Sequence, residues 1–276
     1  MAKSFFKGSR IIAAIAVTAI MFFPVYWLLI TSFKSSFELR LASPSFWPEK
    51  FLWRNYIEAW NSARFDRYLL NTIIKTSGIL ILQMNITLWG AFAFAKGNFW
   101  GRDKFFLFVL AALIVPTQVT FVPIYVMLSK LNWIDTFYAL IIPHGASAYA
   151  IFLLRQSFKS INDNVLEAAR VDGAGRFTIL YRILSPMAYP TIATLTVLTF
   201  ISSWNEYFWP LVMTNTEKMR VLTLGIASMR DAIAGDEALT FHLLSAASIM
   251  VIIPIILVFF FAQKHIVSAM SNSTFK

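Results

Sequence analysis

No cysteine occurs in the sequence, which excludes disulfides, a thiol nucleophile and any sulfur-ligated metal site. Charge is scarce as well: Asp, Glu, Lys and Arg make up 14 % of the 276 residues, against 58 % hydrophobic. A soluble fold with 27 Phe and 9 Trp would expose far more apolar surface than water tolerates. Histidine is limited to His144, His242 and His265, which have neither metal-ligand spacing nor a shared helical repeat. No glycine-rich phosphate loop with its Lys-Ser/Thr is present, so the chain carries no ATP-hydrolysing site of its own. Gly-x-Ser-x-Gly is missing and no Ser-His-Asp set is legible. No linker rich in Pro, Ser or Gly divides the chain, so residues 1–276 read as a single transmembrane domain.

What is present is oil in long runs. A mean hydropathy of +0.65 with these runs implies an all-α, polytopic membrane protein. The net charge of +10 does not point to nucleic acid, because the basic residues are scattered between apolar spans and fit the positive-inside rule. Lys3, Lys7 and Arg10 precede the first span with no acidic residue, which places the N-terminus in the cytoplasm. That run continues to Ile30 without a small-residue cleavage site, so it reads as an uncleaved span and not a signal peptide.

Six transmembrane helices are expected, over about residues 11–33, 69–95, 105–128, 138–158, 188–213 and 241–262. Pro24 should kink the first and Pro254 lies in the sixth. Outer loops fall at about 34–68 and 214–240. The first carries Pro44, Pro48 and a short helix around Asn55–Trp60, and its aromatics fit either an interfacial belt or a docking surface. The C-terminal tail from Gln263 returns to the cytoplasm.

Polar residues at membrane depth mark the candidate substrate path, because such groups usually face a bundle interior or a cavity. Gln83 and Asn85 in the second span qualify, with interhelical hydrogen bonding as the alternative. Lys75 sits nearer the outer end, where it can snorkel. Pro116, Thr117 and Gln118 break the third span, and irregular backbone at that depth needs protein or a water-filled cavity to satisfy it. His144, beside Pro143 and Gly145, reads as a hydrogen-bonded packing residue, with a proton relay as the alternative. Trp204, Asn205, Glu206 and Tyr207 mix aromatic faces with hydroxyl-binding groups and suit a polar neutral ligand; an interface belt is the competing reading.

The longest polar segment runs from Asn164 to Pro186, within a cytoplasmic loop of about residues 159–187. Asn164 and Glu167 have capping-box spacing, so a helix should start at Asn164. Gly173 and Gly175 can adopt the positive φ that turns the chain into a second short helical piece. This arrangement would offer Leu166, Ala169 and the glycine surface to a partner.

The segment reads Glu167-Ala168-Ala169, three residues, Gly173, nine residues, Ile183, a variable position, Ser185 and Pro186. It resembles the EAA loop of ATP-binding-cassette importer permeases, with Ser185 where that family usually has Leu. The Trp204-Asn205-Glu206-Tyr207 stretch also resembles a recurring segment of the carbohydrate-importer permeases, and the likeness is greatest to the smaller, second permease of an oligosaccharide importer. The resemblance implies import of a sugar across a prokaryotic cytoplasmic membrane, with both termini cytoplasmic. It implies ATPase coupling through Leu166, Glu167, Ala168, Ala169, Asp172, Gly173, Ile183 and Pro186. Implied partners are a homologous second permease, a dimer of cytoplasmic ATP-binding subunits that carry ATP and Mg, an extracytoplasmic solute-binding protein, a sugar and the lipid membrane. No nucleic acid and no cofactor or metal on this chain are expected. In the maltose-type importers the corresponding tail reaches the ATPases; here it ends Ser-Asn-Ser-Thr-Phe-Lys instead of in a glycine-rich close.

The alternative is a stand-alone, ion-coupled secondary transporter. It would need inverted repeats and embedded ionisable relays; no such repeat is visible, and only Lys75 and Glu206 lie near the membrane core.

Overall fold

The computed structural model describes residues 2–41, 45–62, 64–232 and 241–273. Pro44, the outer loop beyond Ala232 as far as Thr240, and the last three residues of the tail lie outside them. Every regular element among the described residues is helical. Contacts divide the chain into two compact units, one of residues 1–66 with 224–254 and one of residues 67–223 with 255–276.

In the first unit, α1 (Ala2–Ser32) contains Pro24 and exposes Ile12, Ile20 and Met21. Its part Arg10–Ser32 is long and apolar enough to cross a membrane. The chain then turns into α2 (Ser36–Arg40), which opens with a complete capping box between Ser35 and Glu38. Burial opposes ionisation of Glu38, but donors from Glu49 and Ser35 outweigh it and hold the carboxyl below its ordinary pKa. The expected outer-loop helix is α3 (Arg54–Ser62). Asn55 fastens it by donating to the carbonyls of Ser32 at 2.9 Å and Lys34 at 2.8 Å, carbonyls left free where α1 ends. Aromatics of this loop pack on Phe33, with Phe51 and Trp53 edge-on at 5.3 and 4.8 Å.

The second unit begins in α4 (Phe65–Lys96), a continuous helix of membrane-spanning length. The third expected span is two helices, α5 (Arg102–Ala111) and α6 (Thr117–Lys130). The fourth is a pair bent by 41°: α7 (Phe137–Ile141) with a 3₁₀ turn to His144, then α8 (Ala148–Lys159). The loop helix α9 (Asp163–Val171) follows. The next stretch is α10 (Arg176–Thr178), a π-helical turn over Ile179–Leu184, and α11 (Ser185–Met187). At Ala188 the chain bends by 86° into α12 (Tyr189–Asn205). The fifth span does not run unbroken to Met213: α12 stops at Asn205 and α13 (Phe208–Met213) resumes two residues later. Last in the chain come α14 (Leu222–Ala232), which from Leu224 belongs to the first unit, and α15 (Phe241–Ser273), which belongs to the first unit as far as Pro254; its part Phe241–Phe261 is again long and apolar enough to cross. By length and composition this makes three continuous spans, or five counting the bent pairs, among the described residues. The helical, multi-pass expectation holds: the break expected in the third span at Pro116 is present, and the fourth and fifth spans are broken as well.

Three of the breaks share a chemical cause. A proline lacks the N–H that would bond the carbonyl four residues earlier, and its ring clashes with that carbonyl. Pro116 falls four residues after Ala112, the C-cap of α5, and Pro210 falls four after Glu206, the C-cap of α12. Pro143 likewise strands the carbonyl of Ala139. Two of these carbonyls find side-chain donors: Thr223 Oγ1 bonds Glu206 O at 2.9 Å, and Trp209 Nε1 bonds Ala139 O at 2.9 Å. Oily helices with satisfied breaks are what a membrane interior permits.

Candidate functional site

The breaks converge. A cavity of about 670 Å³ opens in the second unit, lined from α4 by Ile79 and Gln83 and from α6 by Thr117, Gln118 and Phe121. His144 and Ser147 enter from the bend before α8, Tyr149 from α8 itself, Thr199 and Ser202 from α12, Glu206 from the break after it and Trp209 from α13. The local sequence explains the aim of each group. Ser147 caps α8 by accepting from the amide of Ala150 at 3.2 Å, which ends the Pro143–Gly145 interruption and leaves His144 at its edge. Gly145 lets this turn press on α4, because a Cβ there would lie 2.5 Å from Leu82 Cδ2.

At one end of the cavity, His144 Nε2 and Glu206 Oε1 are 3.2 Å apart, and Trp209 stands edge-on to the imidazole at 5.1 Å. Lys75 Nζ lies 4.0 Å from Glu206 Oε2, too far for a hydrogen bond and close enough for an ion pair. Lys75 is 0 % exposed and its ammonium has no hydrogen-bond partner, so it does not snorkel; it is the buried counter-ion of Glu206. Gln83 donates to Thr199 Oγ1 at 3.3 Å, tying α4 to α12 across the cavity wall. Gln83 thus makes an interhelical hydrogen bond and lines the cavity as well.

Of the sequence candidates, Gln83, Thr117, Gln118 and Glu206 come together here, and Asn85, Pro116, Trp204, Asn205 and Tyr207 do not. Asn85 bonds the Ile81 carbonyl and receives the Tyr181 hydroxyl at 3.0 Å on another side of α4. Pro116 caps α6 from outside the lining, and Trp204 is buried, stacked on Phe200 at 5.3 Å. Asn205 is turned back on the Ile201 carbonyl and Tyr207 is exposed elsewhere. Once the helix ends at residue 205, positions adjacent in sequence no longer share a face. Phe121 and Thr199 line the cavity with no signal in the sequence, whereas Trp209 belongs to the aromatic stretch 202–210 and is turned inward with Glu206 by the break before Pro210.

The loop helix α9 is capped by Asn162, whose side chain accepts from the amide of Asn164 at 3.0 Å. Asn164 is therefore inside the helix, and no capping box with Glu167 forms. Gly173 has φ +80°, as the turn requires, whereas Gly175 is extended at φ −72°, ψ 168°. Leu166 is 3 % exposed and Ala169 is buried too; both face inward against Leu154 and Phe158 of α8 and Ile179, Leu180 and Leu184. The surface offered outward is instead Glu167, Ala168, Asp172 and Val171, which is 88 % exposed. Ile183 packs at the edge of the same core, and Pro186 is exposed in α11. Ser185 donates its hydroxyl to the Leu180 carbonyl at 2.7 Å inside the π-turn, a bond that Leu could not make.

Lys96, at the end of α4, donates to the Ile161 carbonyl at 2.7 Å and to Asp163 at 2.6 Å. That hydrogen bond and the ammonium charge hold the Asp163 carboxyl below its ordinary pKa. Beside this pair a groove is lined by Asn98, Arg102, Glu167 and Arg170. Arg155 of α8 bonds the Phe94 carbonyl at 3.1 Å and lies 3.7 Å from Asp103 of α5. The loop is thus clamped to the ends of the helices that line the cavity.

Residues 86–272 match the family model of the binding-protein-dependent transport system inner membrane component. The chain is 31 % identical to the diacetylchitobiose uptake system permease protein NgcG of Streptomyces coelicolor, over 94 % of this chain and 85 % of that one. It is 33 % identical to the sn-glycerol-3-phosphate transport system permease protein UgpE of Brucella abortus, over 91 % of each. A chain of a bacterial ABC transporter involved in the import of the acidic polysaccharide alginate shares the fold, with TM-score 0.86 and 24 % identity, covering 96 % of this chain and 98 % of that one. This chain is a multi-pass membrane transport subunit and belongs to the binding-protein-dependent transport system inner membrane component family.

Proposed function

We propose that the chain is a permease subunit of an ATP-binding-cassette importer that carries a carbohydrate inward across the cytoplasmic membrane. Its partners in this reading are a second permease, a pair of ATP-binding subunits holding ATP and Mg, and an extracytoplasmic binding protein. The similar transport permeases support it. The N- and C-termini and the Glu167 loop face the cytoplasm, in keeping with Lys3, Lys7 and Arg10 before the first span.

One observation carries the mechanism. Helix α8 belongs to both ends of the machine: Tyr149 and Ala150 line the cavity, while Leu154 and Phe158 seat Leu166 and Ala169 of the loop helix. A displacement of α9 by an ATP-binding subunit has to travel with α8, because close-packed cores shift between arrangements as bodies instead of deforming. Glu167, Ala168, Val171 and Asp172 then form the docking face, and Gly173 sets its angle. Gln83, Gln118, Thr117 and Glu206 supply hydroxyl-binding groups, with Phe121 and Trp209 as apolar ring faces.

The Lys75–Glu206–His144 cluster is the feature that favours the ion-coupled alternative. Affinity purification of the tagged chain from its own membranes separates the two. Recovery of an ATP-binding subunit and a second permease, lost on Glu167→Ala, is expected. Recovery of the chain alone, active in vesicles without ATP, would overturn the importer reading.

A further inference from the structure

The charge arrangement at the cavity sorts possible cargoes. Among the described residues lining it, Glu206 is the only carboxylate and none is a lysine or arginine. The balancing cation, Lys75, is sealed behind Glu206 with 0 % of its side chain exposed. The negative end of the ion pair thus faces the cavity and the positive end faces packed protein. His144 holds one carboxylate oxygen on the cavity side at 3.2 Å, and the remaining polar lining (Gln83, Thr117, Gln118, Ser202) is uncharged. In a cleft with low-dielectric walls, a carboxylate on the wall whose counter-ion is sealed behind it concentrates cations and excludes anions. It also accepts hydrogen bonds from hydroxyl or ammonium groups and offers nothing to a carboxylate or phosphate oxygen.

We propose that Glu206, backed by buried Lys75, is a charge filter: the cavity passes a neutral or amino-bearing sugar and rejects a sugar acid or sugar phosphate. This rests on the cavity being the substrate path. It separates the chain's relatives by cargo chemistry, since diacetylchitobiose is neutral whereas sn-glycerol 3-phosphate and alginate are anionic.

The absence of native cysteine allows a test that needs no knowledge of the substrate. Ser202→Cys places a lone thiol on the cavity wall of this chain, in a complex whose other subunits are freed of cysteine. Its reaction rates are measured with a trimethylammonium-ethyl and a sulfonato-ethyl methanethiosulfonate, and their ratio is compared with that for a free thiol in solution. The expected ratio favours the cationic reagent by about tenfold over the free thiol and collapses toward it when Glu206→Gln is added. A ratio at or below the free-thiol value, or one that Glu206→Gln leaves unchanged, overturns the filter. Absence of reaction with either reagent would mean a cavity closed to water and overturns it too. Should Glu206→Gln prevent assembly, the ratio in Ser202→Cys alone decides. Failure of the importer reading shows separately, as absence of ATP-driven uptake by a complex whose reagent ratio is as expected.

Discussion

Trp209 Nε1 donates to the carbonyl oxygen of Ala139 at 2.9 Å, the carbonyl that Pro143 deprives of its helical partner. One side chain thereby joins two broken spans and sets the wall of the cavity, since Trp209 also stands edge-on to His144. Trp209→Phe keeps most of the ring and removes the donor. It should lower the stability of the chain by about 1–3 kcal/mol, the usual cost of a buried unsatisfied carbonyl. Thermal unfolding in detergent measures this, and an unchanged midpoint would refute it.

Gly173 sits at φ +80° with nothing within 4 Å of the position a Cβ would take, so a substitution there meets backbone strain and no clash. Gly173→Val should therefore insert and fold, at a strain of about 1–2 kcal/mol, while tilting the face of α9. ATP-driven uptake by the reconstituted complex is expected to fall severalfold with the amount of chain in the membrane unchanged. Full uptake would remove Gly173 from the coupling path.

Leu166 and Glu167 are neighbours in sequence with opposite fates. Glu167→Ala should leave unfolding of the chain within about 0.5 kcal/mol of the parent, as exposed substitutions do, and reduce co-purification of the ATP-binding subunit. Leu166→Ala should destabilise the chain itself by about 2–5 kcal/mol, because it empties a buried site. Equal unfolding of the two variants would contradict the burial pattern.

Gln118 lines the cavity and Asn205 does not. Gln118→Ala is expected to lower uptake about tenfold, the worth of one lost hydrogen bond to a bound hydroxyl. Asn205→Ala should transport like the parent. The reverse order would return the substrate path to the Trp204–Tyr207 face.

Asp135 accepts from the amides of Asn215 and Thr216 at 2.9 and 3.0 Å and from the Thr216 hydroxyl at 2.7 Å. Burial works against its charge, yet these donors prevail and hold its carboxyl below the ordinary pKa. A depressed pKa means that the folded form binds the proton more weakly than the unfolded one. The stabilisation is therefore complete at neutral pH and is lost as pH falls through the folded value, below about pH 4. Asp135→Asn should lower the unfolding midpoint at pH 7 and narrow its difference from the parent as the pH approaches 3. A difference independent of pH would sink the assignment.

Much of this protein was decided by sequence alone. Apolar runs with few charges forced a helical membrane fold, because backbone groups in lipid must bond within their own segment. The stretch from Asn164 to Pro186 marked a helix, a turn and a second helical piece, and Gly173 announced its positive φ, since both depend on residues close in the chain. Pro116 marked the break in the third span, because the clash with a carbonyl four residues earlier is local. The break before Pro210 was not read, and Pro24, Pro123 and Pro254 lie inside unbroken helices, so packing decides which prolines interrupt a span. What the tertiary structure decided was orientation and partnership. Only packing against Leu154 and Phe158 turned Leu166 and Ala169 inward and left Glu167 and Val171 outward. Only the meeting of α4 with the break after α12 made Lys75 a sealed counter-ion, across more than a hundred residues of chain. Residue type limits which groups seek partners at membrane depth, but which groups meet depends on helix packing between segments far apart in sequence.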